Sequence, residues 1–232
     1  MFVREGFAAE LAKLERRIED ELERTAVMLA DVADAIQVPR ADKAKEIADE
    51  AARLRHAGRI AGTDLLIVTA RRTPVARDLR LMLALIEVAH HSVLIANQFD
   101  LISEQLNNIQ GVAIDRSGIA ASLSAMTHLA GSQLLHAVGA FASRNLAVAR
   151  RIDVEDDEID KLNREVFDAA VALQDAPDQR ESALRHVLIA RSIERIADNA
   201  VDIAEQAAFV VTAERREFTD ASLPRHRTLQ QP

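Results

Sequence analysis

Residues 190–214 read ARSIERIADNAVDIAEQAAFVVTAE, and this stretch decides the fold class. Its apolar residues recur at intervals of three and four, which is the spacing of one buried stripe on an α-helix. The stripe consists of Ile193, Ile196, Ala200, Ile203, Ala207 and Val210. Carboxylates run beside it at Glu194, Asp198, Asp202 and Glu205. The stretch therefore predicts a long amphipathic helix with an acidic ladder along the edge of its buried face.

The same helical spacing continues through the rest of the 232-residue chain. A heptad-like stripe near the N-terminus consists of Leu11, Leu14, Ile18, Leu22, Thr25, Leu29, Val32 and Ile36, and Pro39 ends it. Further helices are predicted from about residue 42 to 71, 73 to 108, 115 to 149, 153 to 174 and 176 to 213. Thr73 is expected to cap the third helix, with Pro74 at its first position.

The composition favours helices and excludes several kinds of site. Hydrophobic residues make up 49% of the chain and aromatic residues only 3%, and the chain contains no cysteine. Disulfides, thiolate metal sites and cysteine nucleophiles are therefore excluded. The net charge of −8 argues against nucleic acid and suits a basic partner surface or bound cations. Neither a signal peptide nor a membrane-spanning segment is expected, which predicts a soluble, cytoplasmic protein.

Six helices joined by short loops predict an all-α fold of antiparallel neighbours. A break near Gly111 separates two halves of three helices each. We therefore predict two tandem antiparallel three-helix bundles packed as one body. The predicted units are residues 1–110, residues 111–214 and a loose tail of residues 215–232.

A second acidic stretch, DVEDDEIDKLNREVF, occupies residues 153–167 and places Asp156 and Asp160 four residues apart. The number of residues between this pair and the turn near residue 176 is about the same as the number between that turn and Glu194 and Asp198 on the next helix. The two pairs should therefore meet at one height, where four carboxylates repel unless a cation lies among them. We predict a metal site there. The alternative is a solvated acidic face whose carboxylates pair with Arg191 and Arg195.

Three segments together resemble the PhoU family of phosphate-signalling regulators. The stretch at residues 190–214 is similar to the family signature ERIGDHAxNIAE, and EDDEIDKLNREVF resembles the family's E/D-x-x-x-D motif. TPVARDLRLMLALIEVA, at residues 73–89, resembles its PVAxDLR segment. The resemblance covers nearly the whole chain except the tail.

The resemblance implies two three-helix bundles, each able to bind metal through E/D-x-x-x-D motifs. The matched ligands here are Asp156, Asp160, Glu194 and Asp198, and Asp202, which stands where the family has Asn, is expected to join them. It further implies a non-enzymatic negative regulator of the phosphate-starvation response. Its implied partners are a sensor histidine kinase and the ATPase of a phosphate ABC transporter, which could hold it at the inner face of the membrane. Oxygen-only ligation favours iron, manganese or magnesium over zinc.

The first half departs from the pattern that the resemblance implies. Val93 and Asn97 stand where the family has Glu and Asp, and Gly58 and Gly62 lie where facing carboxylates are expected. We therefore expect no metal in the first bundle, with Val93 and Leu94 extending its core instead.

Two other functions remain open. A carboxylate-bridged di-metal enzyme would use Glu-x-x-His motifs, and this sequence has one match, Glu87–His90. The sequence shows no other catalytic set of residues. A structural helical interaction protein is the other alternative. The sequence also leaves a homodimer open.

Overall fold

The computed structural model describes residues 2–72, 74–109, 118–173 and 177–215. Within these residues the regular secondary structure consists of seven helices. They are α1 (Phe2–Gln37), α2 (Ala41–Arg72), α3 (Ala76–Asn108), α4 (Ile119–Ser143), α5 (Leu146–Ala149), α6 (Ile152–Ala172) and α7 (Pro177–Thr212). The predicted all-α fold is confirmed: six long helices and the one-turn α5.

The predicted stripe on α1 is confirmed because every one of its residues is buried. Even Thr25 is 1% exposed, since its hydroxyl donates to the Glu21 carbonyl at 2.7 Å and so satisfies itself within the helix. The stripe runs the length of α1, which is about 54 Å long at 1.5 Å per residue. One continuous apolar surface on α1 is thus available to neighbouring helices.

The two halves pack together along two helix pairs. In the first half α3 packs on α2 and α1, and in the second half α4, α6 and α7 pack on one another. α1 then lies against α4, and α3 lies against α7. The buried side chains form one core that extends from Phe7 to Val210. The two bundles are therefore one body, as predicted, and the assignment of residues 1–110 and 111–214 as separate domains stays a prediction.

Helix α3 is the one described helix that is long and apolar enough to cross a membrane. Its most apolar 18-residue window has a mean hydropathy of 1.6, so it qualifies by length and composition alone. In that window 44% of the residues are buried, and α3 contacts α1, α2 and α7. Core packing on three sides accounts for this composition.

Some predicted helix ends differ from the structure. The fourth predicted helix stops at Ser143 instead of continuing to residue 149, because Arg144 adopts a left-handed conformation (φ 55°). Asn145 then caps α5 by accepting hydrogen bonds from the amides of Ala147 and Val148. The start of α3 is preceded by Val75 as its N-cap residue. Thr73, the Gly111 break and the tail beyond Arg215 lie outside the described residues.

Candidate metal centre

Two of the predicted ligands, Asp156 and Asp160, lie one turn apart on the buried side of α6. They are only 8% and 5% exposed, although most of the acidic residues around them face solvent. A charged carboxylate is costly to bury unless hydrogen bonds or a counter-charge compensate it. The burial of this pair therefore distinguishes it from a solvated acidic face.

Gln133 on α4 reaches Asp156 across the bundle. Its side-chain amide donates to Asp156 Oδ1 at 3.0 Å and lies 3.4 Å from the Ile152 carbonyl oxygen. Gln133 is fully buried, and its Oε1 has no hydrogen-bond partner in the structure. A buried amide oxygen without a partner is rare and calls for a water or a cation. This oxygen belongs to a side chain that touches a buried carboxylate.

Arginines contact two of the predicted ligands, Asp160 and Glu194. Glu194 on α7 is 6% exposed and forms an ion pair with Arg191, one turn before it. Asp160 lies 3.9 Å from Arg164 Nη1, one turn after it. Both guanidinium-bearing side chains are more than half exposed, whereas the carboxylates they meet are buried. The pairing of Arg191 with Glu194 matches the alternative interpretation, but the burial of Glu194 does not.

The remaining two predicted ligands are less buried. Asp198 is exposed on α7, and Asp202 is directed towards α3, where its Oδ2 lies 3.5 Å from His91 Nδ1. The same imidazole nitrogen hydrogen-bonds Asn199 Oδ1 at 2.8 Å. His91 therefore joins α3 to α7, while its neighbour His90 is exposed. These contacts place Asp202 at the junction between the two halves.

No three carboxylate or imidazole groups converge on one point within the parts of the chain that the structure describes. The donor chemistry nevertheless fits a hard cation: the buried groups are carboxylates on adjacent helices, next to an amide oxygen without a partner. Binding one ion among Asp156, Asp160 and Glu194 would require Arg164 and Arg191 to swing into solvent. Both are long, exposed side chains that can turn into solvent by a change of rotamer.

The corresponding surface of the first half has a different chemistry. Arg55 on α2 donates to Asn97 Oδ1 at 3.1 Å and forms an ion pair with Asp100. A protein cation thus occupies the level at which the family resemblance places metal ligands. Val93 and Leu94 are only half-buried, so they do not extend the core as expected.

Gly58 brings α2 close to α3 at the same level. A Cβ atom added there would lie 2.5 Å from Ser92 Oγ, 2.9 Å from Val93 Cγ2 and 3.0 Å from the Ala89 carbonyl oxygen. Real Cβ contacts are essentially never below 3.0 Å. A side chain with a carboxylate cannot be placed at this position without moving α3. Gly62, one turn later, has open space around it.

Sequence reasoning missed two residues of this region, Gln133 and His91. Gln133 lies in an apolar stretch of α4, and nothing in its spacing indicates which helix it faces. His91 follows His90 in the sequence, but its partners Asn199 and Asp202 are more than a hundred residues away. Only the packing of α3 on α7 brings them together.

Comparison with known proteins places this geometry in a family. The family model described as "PhoU domain" matches residues 123–207. The phosphate-specific transport system accessory protein PhoU homolog of Rhizobium meliloti is 27% identical over 208 residues, covering 89% of this chain and 87% of the relative. PhoU homolog 1 of Methanothermobacter thermautotrophicus is 30% identical over 147 residues, covering 63% and 67%.

The chain belongs to the PhoU family. Solved PhoU structures share its fold. PhoU from Streptococcus pneumoniae superposes with a TM-score of 0.80 at 18% identity, covering 90% of this chain and 99% of that one. PhoU from Pseudomonas aeruginosa gives 0.74 at 19% identity, covering 90% and 97%. The PhoU domain match lies entirely in the second half, which contains the buried carboxylates, and leaves out the half that contains Gly58 and Arg55.

Proposed function

We propose that this chain is a non-enzymatic accessory protein of phosphate transport that represses the phosphate-starvation response when phosphate is plentiful. The observation that carries the proposal is its membership of the PhoU family, in which the named relatives are accessory proteins of phosphate-specific transport systems. The sequence offers no phosphate-cradling glycine loop and no nucleophile–base pair. Regulation by binding therefore fits these residues better than turnover.

The proposed partners are the ATPase of a phosphate ABC transporter and a sensor histidine kinase. A long bundle with a rigid shared core suits a role as an adaptor, because its surfaces keep their relative positions when one of them is bound. The protein would work in the cytoplasm, where it would reach the inner face of the membrane through these partners. A homodimer is compatible with this role.

We further propose that the second bundle binds a hard cation such as iron, manganese or magnesium. The ligands would come from Asp156, Asp160, Glu194 and Asp198, with Asp202 beside them. The support is the burial of the first three carboxylates on facing helices and the Gln133 oxygen that lacks a partner. The cation would neutralise the buried carboxylates, which Arg164 and Arg191 neutralise only in part. It would also link α6 to α7.

Gene deletion followed by complementation tests this function. Deleting the gene, together with any second homologous copy, should raise expression of phosphate-starvation genes in phosphate-replete medium. The wild-type gene should restore repression. Unchanged expression in the deletion strain would contradict the proposal. Complementation with the variant Asp160→Ala/Asp198→Ala then shows whether repression needs the carboxylates, provided that immunoblots show equal protein levels.

A further inference from the structure

The α2–α3 and α6–α7 hairpins end in tips of opposite charge. The α2–α3 tip, residues 66–83, contains four arginines and one aspartate, a net charge of +3. The equivalent 18 residues around the α6–α7 turn, residues 167–184, contain one arginine, three aspartates and one glutamate, a net charge of −3. The chain as a whole carries −8, so the α2–α3 tip is a local reversal of sign.

Most of this positive charge is available to a ligand. Arg71 and Arg77 are exposed and contact no carboxylate within the described residues. Arg72 lies 3.5 Å from Glu10 of α1 and is more than a third exposed. Arg80 is half-buried, and its Nε has no hydrogen-bond partner. The single acidic residue, Asp78, lies in the first turn of α3, where the helix dipole favours it.

Large aliphatic side chains are exposed among these arginines. Val75 is 63% exposed at the tip itself, and Leu79 and Leu83 follow it at intervals of four along α3. Leu66 and Ile67 are also exposed, near the end of α2. Thr69 contacts Met82 across the hairpin, so these two residues lie at about the same level as Leu83. Five exposed aliphatic residues thus lie within about three turns of the end of the hairpin.

The two tips are at opposite ends of the molecule. α3 and α7 run antiparallel, because Gln105 near the end of α3 meets Arg185 near the start of α7, and His91 meets Asn199 further along. The start of α3 and the start of α7 are therefore separated by roughly 45 Å, the length of about 30 helical residues. The Debye length at physiological salt is about 8 Å, so the charge of one tip is screened from a surface that contacts the other tip.

We infer that the α2–α3 tip binds the surface of an anionic lipid bilayer. Arginine pairs with phosphate groups in two-pronged hydrogen bonds, while neighbouring aliphatic side chains enter the boundary between headgroups and acyl chains. The tip has both features. The helices would stand on the bilayer, and α3 would not cross it.

Vesicle co-sedimentation of the full chain tests this inference. We expect binding to vesicles that mix phosphatidylglycerol with phosphatidylcholine, weakening as salt increases, and little binding to phosphatidylcholine alone. Arg71→Glu/Arg77→Glu should lower the partition coefficient on the order of 100-fold, since it reverses two charges near the surface. Leu79→Ser/Leu83→Ser should lower it about tenfold. These side chains are exposed, and circular dichroism checks that each variant is folded.

Two matched controls separate the tip from general effects. Lys43→Glu/Lys45→Glu makes the same change in net charge at the opposite end of α2. Leu184→Ser/Leu188→Ser removes leucines that are 58% and 53% exposed at the α6–α7 tip. Both should bind vesicles like the wild type. No binding by the wild type, equal binding to uncharged vesicles, or equal losses in the control variants would overturn the inference. It does not depend on the proposed regulatory function or on metal binding.

Discussion

The hairpins α2–α3 and α6–α7 are corresponding parts of the two halves, and they hold their helices together by different chemistry. In α2–α3, Gly58 lets the backbones approach closely, and Arg55 bridges to Asn97 and Asp100. In α6–α7, Asp156 and Asp160 of α6 and Glu194 of α7 are all buried. One hairpin is closely packed, whereas the other contains buried negative charge.

This difference teaches that one helical arrangement can serve two purposes. A neutral contact closed by glycine needs nothing from outside the chain. A contact between buried carboxylates costs stability until positive charge reaches it, so its strength can depend on a bound ion. With the proposed cation bound, the stability of the second half would depend on the concentration of that ion.

Metal removal should produce the largest difference between the two hairpins. We expect purified protein to contain bound cation, and a chelator should speed hydrogen exchange in α6 and α7 far more than in α2 and α3. An ion present at 100 times its dissociation constant stabilises by about 2.7 kcal/mol, so local exchange should accelerate on the order of 100-fold. Mass spectrometry of peptides after exchange measures both hairpins in the same sample.

The matched variant for this experiment is Asp160→Ala/Asp198→Ala. It should contain no metal, and chelator should not change its exchange. Equal metal content in the variant and the wild type would refute the ligand assignment. Equal loosening of both hairpins by chelator would refute the asymmetry.

Adding a methyl group at Gly58 tests the packed hairpin. Gly58→Ala should lower the free energy of unfolding by about 1–3 kcal/mol, because the new Cβ overlaps Ser92, Val93 and the Ala89 carbonyl. Gly62→Ala is the control: its Cβ meets nothing within 4 Å, so it should raise stability by about 0.5–1 kcal/mol through helix propensity. Urea denaturation measures both. Equal changes in the free energy of unfolding in the two variants would show that the close approach at Gly58 does not contribute to stability.

Glu19 on α1 is a half-buried carboxylate that holds a proton more tightly than a free one does. Burial, followed by repulsion from Glu15, raises its pKa from 4.5 to about 7, although Arg144 opposes the rise. Because the folded pKa is the higher one, the stability that protonated Glu19 provides is complete below about pH 4.5. That stability is lost as the pH rises through 7.

Replacing this carboxylate should give the smallest effect. Glu19→Gln should have the higher melting temperature at pH 8, and its advantage should shrink as the pH falls towards 5. The residue is only about half-buried, so solvent screening should keep the effect below about 1 kcal/mol. Glu165→Gln on the exposed face of α6 controls for the loss of one surface charge. A difference that stays constant with pH would contradict the assigned cause.

Much of the fold could be predicted because it depends on periodicity. The α1 stripe from Leu11 to Ile36 is buried at every predicted position, since a helix turns by a constant angle and carries its apolar residues to one side. The residues of the candidate site could be named for the same reason: Asp156 and Asp160 are neighbours on any helix. The break at Arg144 could not be predicted, because a left-handed residue that is not glycine leaves no mark in the pattern.

By itself, the sequence determined the six long helices, the buried faces of α1 and α7 and the carboxylates of the second half. Only the tertiary structure decided which helices meet. It therefore decided that Gln133 donates to Asp156, that the imidazole of His91 lies against the oxygens of Asn199 and Asp202, and that Arg55 pairs with Asp100. Local spacing along a helix follows from its 3.6-residue turn. Contacts between distant segments depend on how whole helices pack against one another, which no short stretch of residues specifies.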